Sequence, residues 1–296
     1  MKTALVLEGG AMRGLYTAGV LDKFLEENIK FDAVIGVSAG ALFGINYKSK
    51  QLGRALRYNL KYAKNKDYIG FSSFIRTGNV MNKEFCFDKL VNIYDPFDFK
   101  TYQNNKTLFY ATVTNIKNGK AEYPLLTDLT KNNDMEFLRA SGSMPFLSKP
   151  VKVNDNYYLD GALADSIPIK KMEELGYNKI VVVLTRPSGY VKKQKLSHLT
   201  KIKYRKYPHL INTINSRYQK YNDTIKYIEK EASQNKIVVI RPTKDLHVNR
   251  LEKNLNKLED IYNLGYQDTT LNIAKIKKVQ TATAKASTPL SLQGGS

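Results

Sequence analysis

Two short apolar runs, each broken by a glycine-rich turn and followed by a helical pattern, constrain this chain more than any other feature. Ala4 to Leu7 has strand length and runs into Glu8-Gly9-Gly10. Leu15, Ala18, Gly19, Leu21, Phe24 and Leu25 then recur at helical spacing. Phe31 to Val37 is a second strand candidate, and Ala39 to Tyr47 a second helix. Strand, helix, strand and helix in quick succession demand a crossover, and therefore a parallel sheet with helices covering it. Leu108–Thr114, Asn156–Leu159, Lys179–Leu184 and Lys236–Ile240 add four strand candidates. Helical patterns fall at Lys83–Ile93, Asp134–Ala140, Ile167–Leu175, Leu210–Glu231 and Arg250–Ile261. The expected class is α/β, with no internal repeat. The stretch Asn65 to Thr107 carries mixed signals and is expected to cap one end of the sheet. One domain is expected over 1–280, its C-terminal part (about 208–280) helical. Residues 281–296 read as a low-complexity tail or a cloning remnant outside the fold.

The chain has 296 residues, 42% of them hydrophobic, enough to bury a substantial core. A single Cys86 excludes an internal disulfide. His198, His209 and His247 lie far apart in sequence, so no metal site and no cofactor are expected. Glu8 interrupts the N-terminal apolar run, so no signal peptide is expected. No apolar run approaches the roughly 20 residues that span a bilayer. A cytoplasmic protein, with peripheral membrane contact, is the expectation. The net charge of +20 is unevenly placed: Ala33–Lys66 and Leu175–Asn222 contain no acid. Such a field attracts polyanions, either nucleic acid or an anionic membrane surface. Solvated lysine-rich faces explain it equally well.

Three short motifs carry chemistry. Gly36-Val37-Ser38-Ala39-Gly40 is a G-x-S-x-G at a strand end, directly before a helix. A serine nucleophile on a sharp turn needs small neighbours, and the following helix aims its amides at developing negative charge. Read alone, the pattern also fits a glycine-rich turn with a capping serine. Glu8-Gly9-Gly10-Ala11-Met12-Arg13-Gly14 joins the first strand to the first helix. Its glycines suit an oxyanion hole or a phosphate cradle, or simply a tight turn. It lacks the Lys-Ser/Thr of a Walker loop and the second glycine of a dinucleotide fingerprint. Leu159-Asp160-Gly161-Ala162 follows a strand-like run, and taken alone reads as a hairpin turn.

Taken in order, these motifs and the segment Arg139–Phe146 with Pro150 resemble the patatin-like phospholipases, and are similar to the bacterial members. The resemblance covers Lys2 to Pro168 and is looser from Lys179 to Ile240. It implies a three-layer α/β/α fold with a mostly parallel central sheet. It also implies a lipid acyl ester hydrolase of phospholipase A or lysophospholipase type, with Ser38 as nucleophile and Asp160 as its base. The oxyanion donors implied are the N–H groups of Gly9, Gly10, Ala11 and Ala39, with Gly36, Gly40 and Gly161 as motif glycines. Arg13 is a candidate for substrate headgroup binding. The family's loop often reads Asp-Gly-Gly-Gly; here Glu8 and Ala11 occupy its first and last places. The expected partner is a phospholipid or other lipid ester, and nucleic acid is not expected. Two alternatives stand beside this reading: a conventional Ser-His-Asp esterase, and a non-catalytic protein binding anionic membrane or nucleic acid on the same fold.

Overall fold

A computed structural model describes residues 2–194 and 198–284, with side chains to residue 278. The chain opens as the sequence pattern requires. β1 (Thr3–Leu7) leads through a turn into α1 (Gly14–Glu26), then β2 (Ala33–Val37) and α2 (Ala39–Lys48). There follow α3 (Arg54–Tyr62), α4 (Phe71–Thr77), a π-helical segment (Phe85–Tyr94) and α5 (Phe99–Asn104). β3 (Leu108–Asn115), β4 (Ala121–Glu122), α6 (Asp134–Ser141), β5 (Val151–Val153) and β6 (Asn156–Asp160) form the middle of the chain. α7 (Ile169–Glu174), β7 (Lys179–Val183), α8 (His198–Lys203), α9 (Pro208–Ser233), β8 (Ile237–Ile240) and α10 (Leu255–Ala284) complete it.

The sheet runs β5-β6-β3-β2-β1-β7-β8, with β4 pairing β3. β3, β2, β1, β7 and β8 are parallel, while β4, β5 and β6 are antiparallel additions at one edge. Because successive strand residues face opposite sides, β1 divides its side chains between two cores. Leu5 and Leu7 join Leu15, Phe24, Phe43 and Ile261 on one face. Ala4 and Val6 join Ile169, Met172, Tyr221 and Ile228 on the other. Helices α1, α2 and α10 therefore cover one side, and α7 and α9 the opposite one. The result is a three-layer α/β/α sandwich with a mostly parallel sheet.

Several elements depart from the sequence reading. Strands β4 and β5 were not expected; at two and three residues they carry too few positions to show alternation. The expected helix at Lys83–Ile93 is a π-helix over Phe85–Tyr94. The last helix begins at Leu255 and runs to Ala284, past Ile261 and into the first four residues of the low-complexity stretch. The remainder, 285–296, lies outside the described residues. Part of the basic stretch Ala33–Lys66 is structural rather than solvated. Arg54 is 2% exposed, donates to the Asp95 carbonyl and to Asn46 Oδ1, and lies 3.3 Å from the Asp95 carboxylate. Arg57 holds that same carboxylate with two hydrogen bonds, at 2.8 and 2.9 Å. Lys48 is buried with its ammonium 4.2 Å from the Tyr102 ring centre.

The long last helix is fixed by a reciprocal crossing with α1. Both helices carry Tyr-x-x-Gly-x-x-Asp: Tyr16, Gly19 and Asp22 on α1, and Tyr262, Gly265 and Asp268 on α10. Tyr16 donates to Asp268 Oδ2 at 3.0 Å, and Tyr262 donates to Asp22 Oδ2 at 2.8 Å. A Cβ on Gly19 would stand 2.0 Å from the Tyr262 carbonyl oxygen, and one on Gly265 equally close to that of Tyr16. The two backbones touch where side chains are missing, and neither obstructing atom can rotate away. Gly265→Ala or Gly19→Ala is therefore expected to destabilise the protein by about 1–3 kcal/mol or more. Denaturant unfolding of each variant against wild type checks this, and a change within about 0.5 kcal/mol would contradict the crossing.

Candidate active site

Ser38 sits at the turn between β2 and α2 with φ 55° and ψ −124°, a conformation costly for a residue with a side chain. The strain is sustained by crowding that only glycine permits. A Cβ on Gly36 would lie 2.5 Å from Ala41 Cα, and one on Gly40 would lie 2.6 Å from the Leu7 carbonyl oxygen. Ser141 Oγ, at the end of α6, accepts a hydrogen bond from the Ser38 N–H at 2.9 Å and pins the turn from below. The side chain is thereby aimed at β6, where Ser38 Oγ donates to Asp160 Oδ2 at 2.8 Å.

Asp160 is held as firmly. Its N–H donates to the Ser143 carbonyl, its own carbonyl accepts from Thr114 Oγ1, and Oδ1 accepts from the Ala162 N–H. Gly161 follows because a Cβ there would stand 2.1 Å from the Thr112 carbonyl oxygen. Asp160 is 4% exposed. Burial raises its carboxyl above the ordinary carboxylate value, against the opposing pull of the Ala162 N–H, the Arg217 charge, the Ser38 hydroxyl and Arg250.

The glycine-rich loop closes over Ser38. A Cβ on Gly9 would touch Ser38 Cβ at 2.8 Å, and one on Gly10 would meet Thr185 Oγ1 at 2.9 Å. Ala11 adopts φ 49°, the left-handed conformation a glycine would take without cost, and begins a short 3-10 turn. Ala39 begins α2. As first helical residues, both have N–H groups with no carbonyl acceptor inside their own helix. Ala11, Ser38 and Ala39 line a mostly apolar cavity of about 90 Å³ together with Leu42, Phe43 and Leu138. Tyr68, Ile69, Val80, Met81, Phe87 and Leu90 from the expected cap segment close its far side.

Glu8 makes no hydrogen bond to Ser38 or Asp160. Its Oε2 accepts from the Thr185 N–H at 2.6 Å and its Oε1 from the Tyr221 hydroxyl at 3.0 Å, so it ties the β1 turn to the β7 turn and to α9. Arg13 makes no hydrogen bond to Ser38 or Asp160, and its Nε is buried without an acceptor among the described residues. His198, His209 and His247 are all exposed, and none hydrogen-bonds to Ser38 or Asp160. Among the described residues no group of His, Cys, Asp and Glu has the arrangement of a metal site.

Sequence reasoning missed Ser141, Ser143 and Thr114, which hold the two central residues in place. The two serines lay in the Arg139–Phe146 stretch, whose small residues were the available signal. It also missed Arg217 and Arg250, whose charges reach Asp160 from a distant part of the chain.

A family profile for patatin-like phospholipases matches residues 5–172, spanning every one of these motifs. The chain belongs to the patatin-like phospholipase family. A domain of unknown function, DUF6363, matches residues 207–280, which hold α9, β8 and most of α10. Uncharacterized protein YjjU of Escherichia coli (strain K12) is 29% identical over 291 residues, covering 96% of this chain and 80% of its own length. Probable lipid hydrolase 463L of Invertebrate iridescent virus 6 is 28% identical over 180 residues, 56% of this chain and 61% of the viral one. Lysophospholipase NTE1 of Coccidioides immitis (strain RS) is 27% identical over 60% of this chain, which spans only 11% of that much longer protein. VipD from Legionella pneumophila superposes with a TM-score of 0.45 at 13% identity, over 94% of this chain and 67% of its own.

Within this patatin-like site, Ser141→Ala removes the acceptor of the Ser38 N–H. A buried unpaired N–H costs about 1–3 kcal/mol. The variant is expected to unfold more easily by that amount and to lose turnover through a displaced Ser38. Stability and turnover matching wild type would show that the turn holds itself.

Proposed function

We propose that this protein is a lipid acyl ester hydrolase in which Ser38 is the nucleophile and Asp160 its base. The observation that carries the reading is the 2.8 Å hydrogen bond from Ser38 Oγ to Asp160 Oδ2, in a buried site with an apolar cavity beside it. As Oγ attacks the ester carbonyl carbon, Asp160 takes its proton, and the carbonyl oxygen becomes an oxyanion. The N–H groups of Ala11 and Ala39, with those of Gly9 and Gly10, receive that charge; losing one such donor typically slows a reaction about 100- to 1000-fold. The tetrahedral intermediate collapses, the alcohol leaves with the proton from Asp160, and the acyl group stays on Ser38. Asp160 then takes a proton from water, which attacks the acyl-enzyme, and returns that proton to Ser38 Oγ as the carboxylic acid leaves. The cavity beneath Ser38 is suited to the acyl chain.

The direct Ser38–Asp160 contact and the exposure of all three histidines favour the dyad over the Ser-His-Asp alternative. The names of the relatives, a probable lipid hydrolase and a lysophospholipase, favour a lipid substrate. Ser38→Ala and Asp160→Asn are expected to lose at least about 1000-fold in kcat on a p-nitrophenyl ester and on lysophospholipid while staying folded. Full activity in Ser38→Ala would refute the assignment. Asp160 works as the ionised base, and burial raises its pKa. Rates should therefore fall on acidification, with an inflection above the ordinary carboxylate range. A pH–rate profile flat down to pH 4 would contradict this.

No helix among the described residues is long and apolar enough to cross a membrane. Peripheral attachment at a cytoplasmic, anionic membrane surface is the proposed location. On α8, Leu199 is 65% and Ile202 68% exposed, beside Lys201 and Lys203. Apolar side chains flanked by lysines suit an anionic bilayer, each basic residue near the surface adding about 1 kcal/mol. Leu199→Ser with Ile202→Ser should weaken partition onto anionic vesicles, and so should added salt. Equal binding to neutral and anionic vesicles would point to a soluble ester instead.

A further inference from the structure

The β1 and β7 turns lie side by side at the point where the sheet reverses its winding. From β1 the chain proceeds outward to β2 and β3, and from β7 it proceeds the opposite way to β8. Crevices outside the carboxyl ends of strands at such a switch are where open α/β sheets bind ligands. Here the crevice collects cations. Arg13 follows β1, Arg186 and Lys192 follow β7, Arg217 comes from α9, and Arg250 comes from the segment before α10.

None of these five side chains forms an ion pair among the described residues. The Nε atoms of Arg13 and Arg217 are buried and without an acceptor among the described residues. Native proteins rarely leave such donors empty, and an ion is one of the few explanations. Glu8 accepts from Thr185 and Tyr221 and makes no ion pair with them among the described residues. Asp160 accepts from Ser38 and Ala162 and likewise makes none. Two of the cations rest on aromatic rings instead: Arg186 lies 4.3 Å from the centre of Tyr190, and Lys192 4.0 Å from that of Tyr221. Those rings meet edge to face at 6.0 Å, which brings Arg186 and Lys192 to one aromatic pair.

The cations also oppose one another. Burial, then Arg217, pushes the Lys192 ammonium down to about 7, with Arg13 and Arg186 adding to the effect and Glu8 resisting it. Burial and then Arg186 disfavour the charge on Arg13, where Glu8 and Tyr190 act against them and Arg250 with them. Burial likewise disfavours the charge on Arg217, opposed by Asp160 and assisted by Arg250. A guanidinium stays protonated regardless, so the positive charge persists, with Glu8 and Asp160 nearby but in no contact ion pair with it among the described residues.

We propose that Arg13, Arg186, Lys192 and Arg217 form a binding site for a phosphate group beside the Ser38–Asp160 pair. Guanidinium forks match phosphate oxygens two at a time, and a phosphate satisfies several donors at once where a carboxylate has fewer acceptors. The site assigns a role to the segment matched only by a domain of unknown function: α9 delivers Arg217 to the crevice. The phosphate is either the headgroup of the substrate lipid, a form that rests on the acyl hydrolase reading, or a free phosphate ion.

The test uses two readouts. First, folded Ser38→Ala protein is titrated with inorganic phosphate and with glycerol 3-phosphate, at constant ionic strength set by chloride. Binding is expected, with a rise in Tm, and a dissociation constant at least tenfold weaker in Ser38→Ala carrying Arg217→Gln. Lys192→Gln, on a half-buried residue outside the regular elements, repeats the comparison should Arg217→Gln fail to fold. Second, wild type is compared on one acyl chain carried by glycerol and by glycerol 3-phosphate. At least a tenfold kcat/KM preference for the phosphate ester, falling towards one in Lys192→Gln, identifies the lipid headgroup. Phosphate binding without that preference identifies a free phosphate ion. Wild type inert on both esters, with phosphate binding intact, refutes the hydrolase reading and keeps the site. No binding by either phosphate and no preference between the esters overturns the proposal.

Discussion

The chemistry depends on a serine held where a serine is uncomfortable. At φ 55° and ψ −124° the backbone of Ser38 is strained, and the strain survives only because its surroundings allow nothing else. Gly36 lets α2 press against β2, Gly40 lets α2 approach the end of β1, and Gly9 lets the β1 turn lie against the serine itself. Ser141 then occupies the N–H that the turn leaves over. Each contact comes from a different element, so β1, β2, α2 and α6 must all be in place before Ser38 faces Asp160. Substitution at any of these glycines should act on the site through the backbone rather than through lost contacts.

Asp160 arrives by another route. The parallel part of the sheet supplies the proposed nucleophile, and the antiparallel edge the proposed base: β6 pairs with β3 and places Asp160 opposite Val113. Burial makes Asp160 a stronger base than a free carboxylate, while the Ala162 N–H and the positive charge of Arg217 keep it ionisable. Arg217 belongs to α9, more than fifty residues along the chain, and α9 is tied back by the Tyr221 hydrogen bond to Glu8. The C-terminal helices thus act on the site twice, through that charge and through the α1–α10 crossing. Glu8 in the first place of the glycine-rich loop is long enough to reach both Thr185 and Tyr221.

Much of this was legible in the sequence because the signals were local. The β1–α1–β2–α2 unit could be read from apolar spacing and glycine position, and Ser38, Asp160 and the glycine-rich loop from motifs in order. The positive φ of Ala11 follows from its place where the family often has glycine. Other features depend on partners far along the chain. Strands β4 and β5 exist through pairing with β3 and β6, and their few residues carry no pattern. Helix α10 contains Gly265 and several Thr and Asn residues that lower helix propensity, and its contact with α1 overrides them. Lys48, Arg54 and Arg57 looked like surface charge because nothing local shows that Tyr102 and Asp95 await them. Arg186, Lys192 and Arg217 fall in the acid-free stretch Leu175–Asn222, but nothing local brings them towards Arg13 and Arg250.

The central claim is that Asp160 alone activates Ser38. Labelling with an alkyl fluorophosphonate, followed by mass spectrometry of the digest, reads this directly because the reagent traps an activated serine. The account predicts one phosphonylated peptide, carrying Ser38, formed far more slowly in Asp160→Asn and at an undiminished rate when His198, His209 and His247 are all replaced by Gln. Label on another residue, or label at Ser38 that disappears with the histidines, would contradict it.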